Sequence, residues 1–163
     1  MKEKRVFVTV GTTKFDKLIQ TVSSPDILNH LLRLGYSYVQ FQTGNSNFQR
    51  TNVPGLTTAY ETYFDDFDDQ IERANLIISH GGAGTCLEVL RKNKPLIIVI
   101  NDSLMDNHQT ELAEQLEEDG YLYQCMCHTL EDTLKKDLGK LKPYSKPQND
   151  AFKLYLDKCM GYS

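Results

Sequence analysis

A chain of 163 residues fits one domain, and a hydrophobic share of 40% beside 25% charged residues suffices for a core without disulfides or a structural metal. The formal net charge of −4 excludes the global basic footprint of a nucleic-acid binder. No segment approaches the length of a membrane span, and Met1–Arg5 leads directly into an apolar run too short for a signal-peptide core.

In chain order, Val6–Val10 is β-branched, apolar and bounded by Gly11, which predicts a first parallel strand. Phe15, Leu18, Ile19 and Val22 give Lys14–Val22 a helical period. Ser24-Pro25-Asp26 punctuates it, and Ile27, Leu28, Leu31 and Leu32 carry a second helix to a stop at Gly35. Tyr36–Thr43 is strand-like, Gly44–Pro54 is a polar loop, and Leu56–Phe64 holds another strand. Phe67, Ile71 and Ala74 suggest a helix leading into the strand Leu76–Ser79. A glycine turn follows, then a helix Thr85–Arg91 and the apolar strand Pro95–Ile100. Asn101–Asn107 is a loop, His108–Asp119 a helix ending at Gly120, and Tyr121–Cys125 a last strand. Thr129–Leu138 reads as helical, Lys142–Pro147 as a linker and Ala151–Met160 as a terminal helix. The domain is therefore expected over 1–142, with 143–163 a linker and helix suited to docking a partner.

Cysteines stand at 86, 125, 127 and 159. The pair Cys125 and Cys127 lacks the two intervening residues of zinc knuckles and thioredoxin sites, so reduced thiols in a cytosolic protein are expected. Should Tyr121–Cys127 form a strand, the pair shares one face. The lysines from Lys135 to Lys146 read as a solvated face, with contact to anionic lipid as the alternative.

Strands apolar on both faces and alternating with helices argue an α/β fold, a doubly wound parallel sheet of Rossmann type. Ligands of such sheets sit at the carboxyl ends of the strands. Three loops leave those ends: Gly11-Thr12-Thr13, His80–Gly84 and Asn101–His108. The most informative is Ile78-Ser79-His80-Gly81-Gly82-Ala83-Gly84-Thr85. A glycine turn between strand and helix places unpaired amides and the positive end of a helix dipole at one spot, which suits a phosphate. A nucleotide or sugar nucleotide is the implied ligand. The alternative is a tight turn that needs glycine for its backbone alone.

Together these loops resemble the catalytic subunit of a two-part UDP-N-acetylglucosamine transferase of dolichol-linked oligosaccharide assembly. The residues that carry the resemblance are Val8–Asp16, Ile78–Thr85 and Asn101–Gln109. More distantly the chain resembles the donor-binding half of the bacterial transferase that acts on lipid-linked muramyl peptide. The resemblance implies the C-terminal half of a two-Rossmann-domain (GT-B) enzyme. It implies an inverting transfer from UDP-N-acetylglucosamine to dolichol-diphosphate-N-acetylglucosamine, with a β-1,4 linkage. No further cofactor is implied. It also implies a heterodimer with a membrane-anchored, acceptor-binding subunit that recruits a cytoplasmic chain to the cytosolic face of the endoplasmic reticulum.

On that resemblance, Gly81, Gly82, Ala83, Gly84 and Thr85 hold the diphosphate and steady it as it leaves. Glu88 lies one helical turn on, and by resemblance holds the ribose hydroxyls; a solvated helix-face glutamate is the alternative. By resemblance His108 and Gln109 contact sugar hydroxyls, with Asn107 beside them; Asp106 or Asn107 is alternatively a helix cap alone. Gly11, Thr12 and Thr13 face the cleft, and Asp102 is a further lining candidate. His80 is the catalytic candidate, as base, as donor to the diphosphate or as a structural hydrogen-bonder. The Asp-x-Asp pattern within Asp65–Asp69 sits at a helix start, where acids complement the dipole, and no metal site is assigned to it. A nucleotide-binding regulatory module with the same fold is the competing function.

Overall fold

The computed structural model describes residues 3–11, 14–101 and 107–144, with residues 83 and 107–110 described by their backbone alone. The expectations for Thr12, Thr13, Asp102, Asp106, Cys159 and the helix Ala151–Met160 lie outside the described residues, as do the side chains of Ala83, Asn107, His108 and Gln109.

Six strands form one parallel sheet: β1 (Arg5–Thr9), β2 (Tyr38–Gln42), β3 (Thr57–Glu61), β4 (Leu76–His80), β5 (Leu96–Ile100) and β6 (Tyr123–Met126). Their spatial order is β3-β2-β1-β4-β5-β6. The order reverses between β1 and β4, and a parallel sheet opens a ligand crevice at such a point. The helices are α1 (Asp16–Val22), α2 (Pro25–Arg33), α3 (Phe67–Arg73), α4 (Ala83–Arg91), α5 (Asn107–Glu118) and α6 (Leu130–Leu134).

The central strands are apolar along most of their length, with Leu96–Ile100 apolar throughout, because helices cover both faces. Val6, Val8, Ile78, Ile97 and Val99 pack in one core with Leu18, Leu28, Leu31 and Leu130 from α1, α2 and α6. Phe7, Ile77, Leu96 and Ile98 pack in the other with Ile71, Val89, Leu112 and Leu116 from α3, α4 and α5. Each such side chain contributes about 1.5–3 kcal/mol through burial. Ile77 and Ile78 serve opposite cores, so a charge at either position finds no solvent face.

Local chemistry sets the helix ends. Ser24 caps α2 by accepting the Ile27 N–H at 3.4 Å, with Pro25 in the first turn. Gly35, at φ +100°, lets the chain turn back so that Tyr36 N–H reaches the Leu31 carbonyl at 3.1 Å. Between β2 and β3 no helix crosses. Instead Phe48 stacks on Tyr60, which stacks on Phe41, with centroids 4.9 and 4.5 Å apart.

Three expectations are corrected. The last strand begins at Tyr123, because Tyr121 N–H closes α5 on the Leu116 carbonyl at 3.0 Å, after Gly120 at φ +86°. The segment Thr129–Leu138 is not one helix: a 3₁₀ turn (Cys127–Thr129) precedes α6, and a second (Leu138–Lys140) follows it. Asp137 sets that second turn by accepting the Gly139 N–H at 2.8 Å. The domain also extends past residue 142. Tyr144 is buried edge-on to Tyr121 at 5.4 Å, and its N–H donates to Asn93 Oδ1 at 3.0 Å.

Candidate functional site

A cleft of about 540 Å³ opens at the carboxyl ends of β1, β2 and β4, lined by Gly11, Gln42, His80, Gly82, Gly84, Thr85 and Glu88, and walled by Tyr63, Phe64 and Phe67. This is the crevice that the strand order calls for. Its floor comes from three strand ends, and its electropositive end from α4.

Gly82 is the N-cap residue of α4 and, having no side chain, offers the helix no cap. Cys86 N–H is the first to bond back, to the Gly82 carbonyl at 3.0 Å. The amides ahead of it have no acceptor within the helix. A Cβ built on Gly84 meets nothing within 4 Å, so that amide end faces open space. Unpaired amides, the helix dipole and open room are together suited to an anion.

His80 ends β4 and lies between the two glycine turns. A Cβ on Gly82 would sit 2.5 Å from its Nε2, and one on Gly11 would sit 2.8 Å from its Cε1. Gly11 is also left-handed, at φ +64°. Both glycines are therefore required by the imidazole, whatever ligand binds. Burial pushes the His80 pKa down to about 4, against the opposing pull of the Thr9 backbone carbonyl, which accepts a ring N–H. The ring is neutral at physiological pH. A neutral ring carries one proton and one lone pair, and its polar neighbours are the Thr9 carbonyl and, 3.3 Å from Nδ1, Ser79 Oγ. It is also a weak base, since a pKa near 4 lies about 2.5 units below an ordinary histidine.

Glu88 lies on the cleft rim one turn beyond Thr85. Its carboxyl is held above the ordinary glutamate range, first by partial desolvation and then by Asp68 opposite, with Lys92 and Arg91 pulling the other way. Asp68 and Asp69 stand in the first turn of α3, where they complement its dipole, and Asp69 pairs with Arg73 at 2.8 Å. Among the described residues no three His, Cys, Asp or Glu side chains converge as a metal site would require.

The cleft thus joins Gly11, His80, Gly82, Gly84, Thr85 and Glu88, while Gly81 is buried in the turn behind them. The sequence reading missed Gln42 and the aromatic wall of Tyr63, Phe64 and Phe67. A glutamine at the ligand end of a buried strand is the available signal for the first. Nothing local marks the aromatics, because they reach the cleft only when the loop after β3 crosses over the ends of its neighbours. Phe64 and Phe67 are braced edge-on against Phe7, at 5.9 and 5.6 Å, whereas Tyr63 stays 48% exposed, an aromatic surface without an intramolecular cover.

Sheet order and cleft define a Rossmann-like domain, and comparison with known proteins makes it the equivalent of the C-terminal half of a GT-B glycosyltransferase. The crystal structure of Acinetobacter baumannii MurG shows the same fold, with a TM-score of 0.68 at 20% identity, over 98% of this chain and 50% of that one. A model of the glycosyltransferase family 28 C-terminal domain matches residues 5–157, and the chain belongs to that family. A human protein named UDP-N-acetylglucosamine transferase subunit ALG13 is 47% identical over 129 residues, which span 78% of this chain and 11% of the human one. The Saccharomyces cerevisiae protein of that name is 30% identical over 193 residues, covering 96% of both chains. An NMR solution structure of ALG13 superposes with a TM-score of 0.69 at 28% identity, covering 98% of both. This chain spans only about a tenth of the human relative's length and nearly all of the yeast one's.

Proposed function

We propose that this chain is the donor-binding subunit of an inverting transferase that moves N-acetylglucosamine from UDP to dolichol-diphosphate-N-acetylglucosamine, forming a β-1,4 bond. The observation that carries it is the uncapped amino end of α4, opening into a cleft at the reversal of strand order. The names of the relatives supply the donor and the word subunit.

In this reading the amides of the turn Gly81–Thr85 hold the diphosphate, and Glu88 accepts hydrogen bonds from the ribose hydroxyls. The uracil lies against the aromatic wall, where Tyr63 has a face to offer. Asn107, His108 and Gln109 at the start of α5 address the sugar hydroxyls. The acceptor hydroxyl attacks the anomeric carbon as the bond to the β-phosphate breaks. Charge then grows on UDP, where the helix dipole steadies it. The acceptor proton goes to a base on a membrane-anchored partner, because His80 is buried, neutral and weakly basic. His80 is a wedge that spaces the two glycine turns. That partner also brings the chain to the cytosolic face of the endoplasmic reticulum; among the described residues no helix is long and apolar enough to cross a membrane.

The test is transfer of labelled N-acetylglucosamine from UDP to a short-chain dolichol-diphosphate-N-acetylglucosamine analogue, with and without the membrane partner. Product only with both proteins supports the split enzyme. Product from this chain alone places acceptor site and base within it. UDP-N-acetylglucosamine binding without product in either case favours a regulatory module.

A further inference from the structure

Gln42 ends β2 beneath the cleft and is only 4% exposed. Its backbone carbonyl accepts the Val10 N–H at 3.3 Å, which is ordinary continuation of the sheet. Its side chain does something else. Nε2 donates to the Gly11 carbonyl at 2.9 Å, while Oε1 is buried and has no hydrogen-bond partner. At the other end of the same residue, Gly11 N–H donates to Thr9 Oγ1 at 2.9 Å. Both polar groups of Gly11 are therefore clamped by side chains rising from the sheet. Its α-carbon meanwhile abuts the His80 ring.

For stability alone, glutamine is a poor choice at this position. A buried, unpaired carbonyl oxygen retains its full desolvation penalty, and native interiors seldom keep one. An apolar side chain of the same length would remove that penalty. The Gly11 carbonyl it released borders an open cleft and can take water instead. Gly11 stands in the first of the two glycine turns around His80, and a strand side chain holds its carbonyl.

We propose that Gln42 is a positioning residue: it fixes Gly11 in the lining of the cleft that receives the donor's diphosphate, at the expense of fold stability. The role rests on the donor-cleft reading given above, and it predicts opposite signs for binding and stability. A residue that merely filled the core would move both the same way.

The experiment uses the 163-residue chain, with UDP as the probe in isothermal titration and thermal melting run in parallel. Gln42→Met is expected to weaken UDP binding roughly three- to tenfold, the loss typical of one hydrogen bond, while the melting temperature holds or rises. A melting temperature several degrees lower with unchanged UDP affinity would overturn the proposal. Gln42→Glu gives an independent signature. Its carboxylate cannot donate to Gly11, but the protonated acid can, and burial brings that protonation into the mildly acidic range. Relative to the wild type at each pH, its UDP affinity should be weakest near pH 8 and recover toward pH 5.5. Over that span His80 stays neutral, and any titration of Glu88 on the cleft rim, whose carboxyl is raised, is common to both proteins and cancels in the ratio. A ratio that does not change with pH overturns the clamp. Absence of UDP binding by the wild type refutes the donor cleft itself, whereas undiminished binding by Gln42→Met refutes only the part given to Gln42.

Discussion

The contact between His80 and the two glycines makes a quantitative prediction for Gly82→Ala. Gly82 has φ −69° and ψ 128°, a backbone conformation that alanine adopts freely. Any effect must then come from the added methyl. That methyl would lie 2.5 Å from His80 Nε2, 3.0 Å from Cε1 and 3.3 Å from Cδ2. The ring cannot swing away toward Gly11, because the space there is as tight, at 2.8 Å for a Cβ. Nor can it leave its pocket without losing the Thr9 carbonyl. Overpacking of this kind costs about 1–3 kcal/mol. For a domain of this size that is a melting-temperature loss of roughly 2–12 °C.

The assay is a double-mutant cycle by urea unfolding, with wild type, Gly82→Ala, His80→Ala and the double variant. His80→Ala alone is destabilising, since it leaves a cavity and an unpaired Thr9 carbonyl. In that background the methyl at position 82 has room, so the cost of Gly82→Ala should fall to near zero. The coupling energy should be about 1–3 kcal/mol, in the sense that the second change repairs the first. Equal costs of Gly82→Ala in both backgrounds would refute the claim that the imidazole is what demands glycine here.

Further outcomes follow from the same geometry. His80 has its pKa lowered in the folded state, so the unfolded chain binds the extra proton first. The contribution is present above pH ~6.5 and is lost as pH falls toward ~4, up to about 3 kcal/mol in all. His80→Gln should flatten the wild-type slope of unfolding free energy between pH 7 and 5; parallel slopes would contradict a buried neutral imidazole. Glu88→Gln should weaken UDP binding by roughly ten- to a hundredfold if the carboxylate holds two ribose hydroxyls, and leave the melting temperature unchanged. Because its carboxyl is raised by burial and Asp68, wild-type UDP affinity should begin to fall at a higher pH than an ordinary glutamate would allow. Cys86, Cys125 and Cys127 are buried thiols, and burial pushes Cys125 up to about 11. In a Cys159→Ser variant all three should resist Ellman's reagent at pH 8 until denaturant is added; a prompt stoichiometric reaction would contradict their burial.

What the sequence by itself determined is local in physical origin. Runs such as Leu96–Ile100 announce buried strands because every side chain in them must leave water. The turn His80–Gly84 announces an anion site because glycine and a following helix are properties of adjacent residues. Periodicity also placed Glu88 beside Thr85, one turn apart on α4. The tertiary structure decided whatever depends on strands distant in the chain becoming neighbours. Gln42 meets Gly11 only because β2 lies beside β1, a contact 31 positions apart along the chain. The aromatic wall reaches the cleft only by crossing from β3. Tyr144 belongs to the domain because Tyr121 and Asn93 wait for it, although the prolines around it read as a linker. His80 shows the difference most sharply. Its identity and its place in the motif are sequence facts, but its charge state is not. That state follows from the burial imposed by two glycine turns, on β1 and β4, that come together only in the folded sheet.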